Sequence, residues 1–312
     1  MKQLVDLLIV RAAQVVTCAS PSGPKRGPAM HDVGLIKDGA VVCKGGVIVD
    51  VGSDVQLRAR YTSARTIDAA GKVVCPGFVD PHTHVIYAGD RLDEFEMRIQ
   101  GASYLDIMAA GGGIANTMQA TRTASIDDLV VSASFRLHEM TKLGTTTAEV
   151  KSGYGLDTAT ELRMLQAMEE LDARTTVTLV PTFLGAHAIP PEYQERPDVY
   201  AALVANEMLP AAAAWHAQST FAKSGVPLFN DVFCEINAFD VAQSRRVLEA
   251  GVAHGLPVKA HVDEFTALGG LSLAIELDAV SADHLDVTTV DEGKRLADSN
   301  TVGVILPAVN FN

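Results

Sequence analysis

The sequence predicts an α/β fold: a parallel (β/α) barrel of the TIM type that lacks its eighth strand, preceded by a small β-sandwich-like domain. Short β-rich runs separated by turn residues fill positions 1–71, and strands alternate with helices from 72 to 312. Strands that alternate with helices imply a parallel sheet, and this many repeats favour a barrel over an open sheet. Seven barrel strands can be counted along the chain, one fewer than a closed barrel of this type contains.

The first domain, residues 1–71, is predicted to be a small β domain of sandwich type. Its runs are rich in β-branched residues, and Asp38-Gly39 and Gly45-Gly46 are typical of hairpin turns. Six short strands are few for two sheets, so the sandwich is expected to be incomplete. The predicted strands are Leu4–Val10, Gln14–Ala19, Val33–Ile36, Ala40–Cys43, Val47–Val51 and Arg65–Ile67.

The second domain, residues 72–312, is predicted to hold strands one to seven of the barrel. Capping-box patterns at Ser125-x-x-Asp128 and Thr158-x-x-Glu161 indicate two helix starts, and Asp240 is expected to cap a third helix. The predicted strands are Val73–Val79, Thr145–Val150, Thr175–Pro181, Pro227–Cys234, Pro257–Val262, Ala279–Asp283 and Thr301–Leu306.

The charge balance argues against several classes of partner. The chain has 25 Lys and Arg against 38 Asp and Glu, a net charge of −13 at pH 7. Nucleic acids and anionic membranes select basic surfaces, so neither is an expected partner. The global field is also unfavourable for an anionic substrate, which would therefore need a local arginine.

Cysteine usage and hydropathy indicate the compartment. The four cysteines (Cys18, Cys43, Cys75 and Cys234) are scattered and form no Cys-x-x-Cys pair, which favours reduced thiols. No uncharged apolar stretch reaches the length of a membrane span. We therefore expect a cytoplasmic protein.

A His-x-His pair is the centre of the predicted site. His82 and His84 close an apolar run of buried-strand type, and residues two apart in a strand share one face. Pro81 argues against a ladder position, so the pair should lie at or just past the strand's carboxyl end, where parallel barrels keep their chemistry. Two adjacent imidazoles can hold a divalent metal. Two unrelated histidines in a turn are the alternative.

Three further histidines follow predicted strands at the same face of the barrel. His187 comes after strand three, His261 at strand five and His284 at strand six. Each alone could be structural, but their convergence with the His-x-His pair indicates a metal or catalytic site. Glu264 lies three residues beyond His261, where a carboxylate could transfer protons beside an activated water. A helix-capping acid is the alternative interpretation of Glu264.

Strand four and the loops refine this hypothesis. Residues 227–235 contain no lysine, so strand four offers no donor for a carbamylated lysine that bridges two metals. This absence favours a single metal. Arg91, Tyr104 and Tyr154 fall in loops at the same face, where the guanidinium could bind a carboxylate through two hydrogen bonds. A surface arginine and core-packed tyrosines are the alternative.

Several segments resemble the imidazolonepropionase family of the amidohydrolase superfamily. Pro76–His84 is similar to the first-strand motif of the superfamily, and the resemblance runs from the β domain to Asn312. The segments similar to the narrower family are Ala110–Ile114, Lys151–Gly155, Phe183–His187, Asp231–Glu235, His261–Phe265 and Ser281–His284.

The resemblance implies hydrolysis of 4-imidazolone-5-propanoate to N-formimino-L-glutamate, a step of histidine degradation. It implies that His82, His84 and His261 bind one zinc or iron ion. It also implies that Glu264 and His284 are catalytic, moving protons and polarising the substrate. The substrate-binding residues implied in the same way are Arg91, Tyr104, Tyr154, His187 and Glu264, with Arg91 on the propionate.

The chain also departs from the family pattern. Val262 stands where the family is expected to have alanine. The family's fourth metal ligand, an aspartate on strand eight, would lie beyond Asn312, as would the strands that complete the β domain. We therefore expect these 312 residues, expressed alone, to be poorly soluble and inactive, and we expect the natural continuation to restore both solubility and activity.

Two rival functions share most of these residues. Another amidohydrolase, such as a deaminase of a heterocyclic ring, would use the same histidines and Glu264 but would not need Arg91 for a carboxylate. A catalytically inactive barrel that only binds a ligand is the second rival. The expected partner is a small anionic substrate, and the sequence leaves open both the native metal and a homodimer.

Overall fold

The computed structural model describes residues 2–20, 23–102 and 112–307. It divides the chain into two compact units, residues 1–77 and 78–312. Each unit contains its own β-sheet.

The first unit is built on one five-stranded sheet. Its strands are β1 (Gln3–Val16), β2 (Leu35–Lys44), β3 (Val47–Ser53), β4 (Tyr61–Asp68) and β5 (Val73–Val74). The order is β3-β2-β1-β4, and β5 also pairs with β1. β1 is antiparallel to β2 and parallel to β4 and β5.

The sheet predicted for the first unit is confirmed and a helix packs against it, whereas the incomplete sandwich stays a prediction. Helix Asp54–Arg60 follows β3 and buries Leu57 in one apolar cluster with Val5, Leu8 and Val42.

A bulge explains why the first two predicted strands are one strand. Leu4–Val10 and the first half of Gln14–Ala19 both belong to β1, and the pairing with β2 shifts register between Ile9 and Ala12. Arg11 lies in the shifted segment with a φ of 59°. A β-bulge lets a strand continue past such a residue.

Only one of the two predicted hairpin turns is confirmed. Gly45-Gly46 joins β2 to β3, with φ of 62° and 78°, values that favour glycine. Asp38-Gly39 instead lies inside β2, so Val33–Ile36 and Ala40–Cys43 contribute to one strand.

The second unit curls seven parallel strands into an open half-barrel. They are β6 (Phe78–Asp80), β7 (Thr145–Lys151), β8 (Thr178–Ala186), β9 (Phe229–Cys234), β10 (Lys259–Val262), β11 (Ser281–His284) and β12 (Val302–Val304). Neighbours in the sheet are neighbours in the sequence, as expected for repeated β/α units. Within the described ranges, β6 and β12 each pair with one strand only, so the sheet is open between them.

The first predicted barrel strand is divided between the two units. Val73–Val74 forms β5 beside β1, whereas Phe78–Asp80 forms β6 beside β7. Pro76 and Gly77 separate the two pieces, and proline cannot donate a ladder hydrogen bond. A single strand over Val73–Val79 is therefore wrong.

Helices pack between the strands and bury a large apolar core. Leu129, Met164 and Leu248 from three helices meet Leu179 and Val232 from the sheet. The helices are Leu92–Ile99, Ile114–Thr123, Ile126–Lys142, Thr158–Asp172, Pro197–Leu203, Leu209–Gln218, Thr220–Lys223, Val241–Ala253, Gly270–Glu276 and Val290–Ala297, with a π turn at Val204–Met208 and 3₁₀ turns at Gly27–His31 and Pro191–Tyr193.

Two of the three predicted helix caps are confirmed. Ser125 and Asp128 form a reciprocal capping box, and Asp240 caps its helix with Gln243 as the reciprocal partner. The third helix is capped by Asp157, one residue before the predicted Thr158. In the part of the chain that the structure describes, no helix has the length and apolar character to cross a membrane.

Two helix glycines should respond in opposite ways to alanine. A Cβ at Gly251 would lie 2.1 Å from Nδ2 of Asn230, which is fully buried and donates to the Val247 and Leu248 carbonyls. Gly251→Ala should therefore lower the free energy of unfolding by about 1–3 kcal/mol. Gly293→Ala meets nothing within 4 Å and should raise it by up to about 1 kcal/mol. Denaturant titration of both variants checks this contrast, and an equal response would contradict it.

Candidate metal centre and active site

Three imidazoles meet at the carboxyl ends of the first and fifth barrel strands. His82 and His84 follow β6, and His261 lies in β10. One ring nitrogen from each lies within 4.8 Å of the other two, and Nε2 of His261 is 3.4 Å from Nε2 of His84. Two nitrogens on one tetrahedral zinc at about 2.1 Å are themselves about 3.4 Å apart. The donor set therefore fits one metal ion.

Two buried carboxylates orient two of these rings. Asp283 Oδ2 lies 2.7 Å from Nδ1 of His82, and Asp231 Oδ1 lies 3.1 Å from Nδ1 of His261. Each Nδ1–H can donate a hydrogen bond to its carboxylate, which leaves the lone pair of Nε2 free to bind a metal. A carboxylate behind an imidazole is the usual support of a metal-binding histidine.

His84 supports the same assignment by a different route. Its Nδ1 is buried without a hydrogen-bond partner among the described residues. Burial, followed by the nearby rings of His187, His261 and His82, lowers the pKa of His84 well below its usual value. Burial likewise lowers the pKa of His261. Neutral imidazoles are the form that binds a metal.

Glu264 and His284 form a second pair at the same end of the sheet. Glu264 Oε2 lies 3.5 Å from Nε2 of His284. Burial, with Asp286 and Glu235 nearby, raises the pKa of Glu264 to about 7, and burial lowers that of His284 to about 4. A carboxyl group that titrates near neutrality beside a neutral imidazole can accept and return a proton.

His187 and Tyr154 line the site next to His84. The His187 ring stacks on His84 with centroids 4.9 Å apart, and Tyr154 meets His187 edge-on at 5.2 Å. Nδ1 of His187 lies 2.9 Å from the Gly153 carbonyl, and burial lowers the pKa of His187 to about 4. Nδ1–H therefore donates to the carbonyl, and Nε2 is left as an acceptor.

A buried glutamate shapes the loop that carries Tyr154. Glu161 accepts from the backbone N–H groups of Gly153, Gly155 and Leu156 at 2.8–3.2 Å. Gly153 has a φ of 102°, and a Cβ there would lie 2.9 Å from Cβ of His187. The capping box predicted for Glu161 is therefore wrong, because its carboxylate turns to these loop amides.

Arg91 lies at the start of helix Leu92–Ile99, on the loop that follows His84. Its Nε donates a hydrogen bond to Oγ1 of Thr117 at 3.1 Å. Burial raises the pKa of Tyr154, and the positive charge of Arg91 opposes part of that rise. Within the described ranges, the rest of its guanidinium has no hydrogen-bond partner. Tyr104 lies outside the described residues.

The structure thus brings together most of the residues singled out in the sequence. His82, His84 and His261 share one cluster, and Glu264 and His284 share a second. The His82 ring also lies 5.2 Å from that of His284, so the two clusters adjoin. A cavity of about 430 Å³ reaches the site at His187, Phe233 and Glu235.

An ionic cluster beneath the histidines was not predicted. Lys151 is fully buried and bonds to Glu149 at 2.8 Å and to Asp231 at 2.7 Å. Lys259 bonds to the other Glu149 oxygen at 2.8 Å. All four lie in strands, and Lys259 stands two residues before His261. Charged residues at every second position of otherwise apolar strands were the pattern that could have revealed the cluster.

Comparison with known proteins gives the family. Residues 65–123 match the model of an amidohydrolase family. The chain is 57% identical over 307 residues to an imidazolonepropionase of Chloroflexus aggregans, an alignment that covers 98% of this chain and 72% of the relative. It is 51% identical over 306 residues to an imidazolonepropionase of Herpetosiphon aurantiacus, covering 98% of this chain and 70% of that one.

Solved structures show the same fold at lower identity. A zinc-bound adenosine deaminase from Xanthomonas campestris matches with a TM-score of 0.59 and 19% identity, covering all of this chain and 64% of that one. A variant of triazine hydrolase matches with a TM-score of 0.65 and 14% identity, covering 98% of this chain and 66% of that one.

Proposed function

We propose, from the premise that this chain belongs to the imidazolonepropionase family of amidohydrolases, that it hydrolyses 4-imidazolone-5-propanoate to N-formimino-L-glutamate in histidine degradation. The observation that carries the proposal is the 57% identity over nearly the whole chain. The imidazole cluster, the Glu264–His284 pair and Arg91 supply the groups that this reaction needs.

The metal proposed for the site is a single zinc or iron ion held by His82, His84 and His261. When bound, such a metal supplies a Lewis acid and makes a water nucleophilic near neutral pH. The buried carboxylates that contact Nδ1 of His82 and His261 orient both rings toward the proposed metal.

The chain's own groups move the protons. Hydrolysis adds the hydroxyl of water to the ring carbonyl carbon and a proton to the ring nitrogen, and the bond between these two atoms breaks. We assign Oε2 of Glu264 to accept the proton that the water loses and to return it to the leaving nitrogen. Nε2 of His284, 3.5 Å from that carboxylate, would donate its N–H to the substrate oxygen.

Other side chains would hold the substrate. We assign the Arg91 guanidinium to the propionate, and the Tyr154 hydroxyl and Nε2 of His187 to the ring and its amide. Burial raises the pKa of Tyr154, so its hydroxyl stays protonated and can donate. Tyr104 keeps its predicted role in substrate binding. The four free cysteines support a cytoplasmic location.

Replacing Arg91 tests this assignment. Arg91→Met should weaken binding of the propionate substrate roughly 30- to 150-fold, because a charge-assisted contact contributes about 2–3 kcal/mol. The bound metal should be unchanged, since Arg91 contacts none of the three imidazoles. Arg98→Met, which removes an exposed arginine from the same helix, should bind like the unsubstituted protein. The measurements are KM, substrate affinity and metal content.

A panel of substrates separates the rival activity. If Arg91 binds a carboxylate, imidazolone propionate should be hydrolysed and heterocyclic amines should not be deaminated. Unchanged binding of the propionate by Arg91→Met, or turnover of a purine or pyrimidine amine instead, would assign the chain to a different amidohydrolase reaction.

A further inference from the structure

We propose that Lys151 is the positioning residue of the metal centre: its ammonium contacts both of the carboxylates that orient His82 and His261. The inference rests on the proposed metal site and concerns a residue that touches neither substrate nor metal. Lys151 acts through Asp231 and Asp283, which lie between it and the imidazoles.

The contacts of the ammonium define this role. Nζ lies 2.7 Å from Oδ2 of Asp231, 2.8 Å from Oε1 of Glu149 and 3.4 Å from Oδ2 of Asp283. An ammonium has three N–H donors, and three carboxylates surround this one. Lys151 has no exposed surface, so water cannot replace any of these partners.

The same two carboxylates hold the rings. Oδ2 of Asp283 also contacts Nδ1 of His82 at 2.7 Å, and both oxygens of Asp231 lie within 3.1 Å of Nδ1 of His261. One ammonium therefore links a ring that follows β6 to a ring in β10. Without it, two buried carboxylates of like charge would face each other, and each could rotate away from its imidazole.

Lys259 offers a matched control from the same interior. Its Nζ bonds to Glu149 at 2.8 Å and to the Pro81 carbonyl at 3.0 Å, and it lies 3.7 Å from Asp283. The structure shows no bond from it to Asp231. Replacing either lysine with methionine removes one positive charge beneath the site. The loss of this charge reduces the repulsion of a metal cation, and both variants share that effect. The difference between them isolates the link through Asp231.

The experiment measures metal binding without reference to turnover. Zinc affinity, obtained by competition with a chelator, should fall about 10- to 100-fold in Lys151→Met, the usual loss when a supporting residue of a metal site is removed. The fall in Lys259→Met should be several-fold smaller. The visible spectrum of bound cobalt should change in Lys151→Met and stay close to that of the unsubstituted protein in Lys259→Met, because only the first variant frees the rings to move.

A double variant covers the case in which Lys151→Met does not fold. Lys151→Met with Glu149→Gln removes one charge of each sign and leaves in place both carboxylates that orient the rings, Asp231 and Asp283. It should fold and still bind zinc 10- to 100-fold more weakly than the unsubstituted protein. Wild-type affinity in the double variant, or equal affinity in the two single variants, would overturn the role of Lys151. Failure of the unsubstituted protein to bind zinc or cobalt at all would instead refute the proposed metal site.

Discussion

His84→Ala should leave the protein folded and remove its metal. His84 supplies one of three converging imidazoles, and the loss of a direct ligand should weaken metal binding by more than the roughly 100-fold that a supporting residue can cost. Of the three proposed ligands, His84 is the best to remove. Its Nδ1 has no partner among the described residues, whereas removing His82 or His261 would leave Asp283 or Asp231 unpaired.

Elemental analysis and a chelator competition measure the effect. His138→Ala provides the control, because that histidine is exposed on helix Ile126–Lys142 and should leave one metal equivalent bound. Turnover should be lost with the metal in His84→Ala and retained in the control. One full equivalent of tightly bound metal in His84→Ala would show that the imidazole cluster is not the metal site, and two equivalents in the unsubstituted protein would refute a mononuclear centre.

Glu264→Gln should lower kcat by about 10²- to 10⁴-fold, the range that general acid–base catalysis contributes. Glutamine keeps the shape of the side chain but cannot accept the proton of the attacking water. Metal content should change little, because Glu264 pairs with His284 and with none of the three imidazoles proposed to hold the metal. Single-turnover kinetics separate the chemical step from binding.

The pH profile should identify the same group. Glu264 must be ionised to accept a proton, and burial raises its pKa to about 7. Because a bound cation stabilises the carboxylate, the rate in the metal-bound protein should fall as pH drops through a limb below pH 7 and level off above it. The residual activity of Glu264→Gln should lack the limb. A variant that keeps both the rate and the limb would exclude Glu264 as the general base.

Much of the site could be predicted from residue order along the chain. Alternating strands and helices imply a parallel sheet, and parallel strands present all their carboxyl ends on one side. A histidine at the end of β6, β8, β10 or β11 must then face the same side of the sheet. His82, His187, His261 and His284 do meet at this side of the sheet, and Glu264 lies beside them.

Strand register within the first unit depended on contacts that sequence patterns do not report. Turn residues such as Asp38-Gly39 suggested a chain reversal, but the long strand β1 pairs with β2 on both sides of that point. Likewise, Val73–Val74 pairs with β1. Pairing with a distant partner outweighed the local preference, because it gives the backbone N–H and C=O groups of the segment hydrogen-bond partners.

The amino-acid sequence by itself determined the fold class, the side of the sheet that carries the site and the imidazoles that meet there. Only the tertiary structure decided what holds those imidazoles in place. Lys151, Asp231 and Asp283 lie on three different strands, 52 residues apart at the closest, so their positions along the chain do not show that they meet. Burial is tolerated only because the charges neutralise one another, and that balance exists only when the strands are assembled.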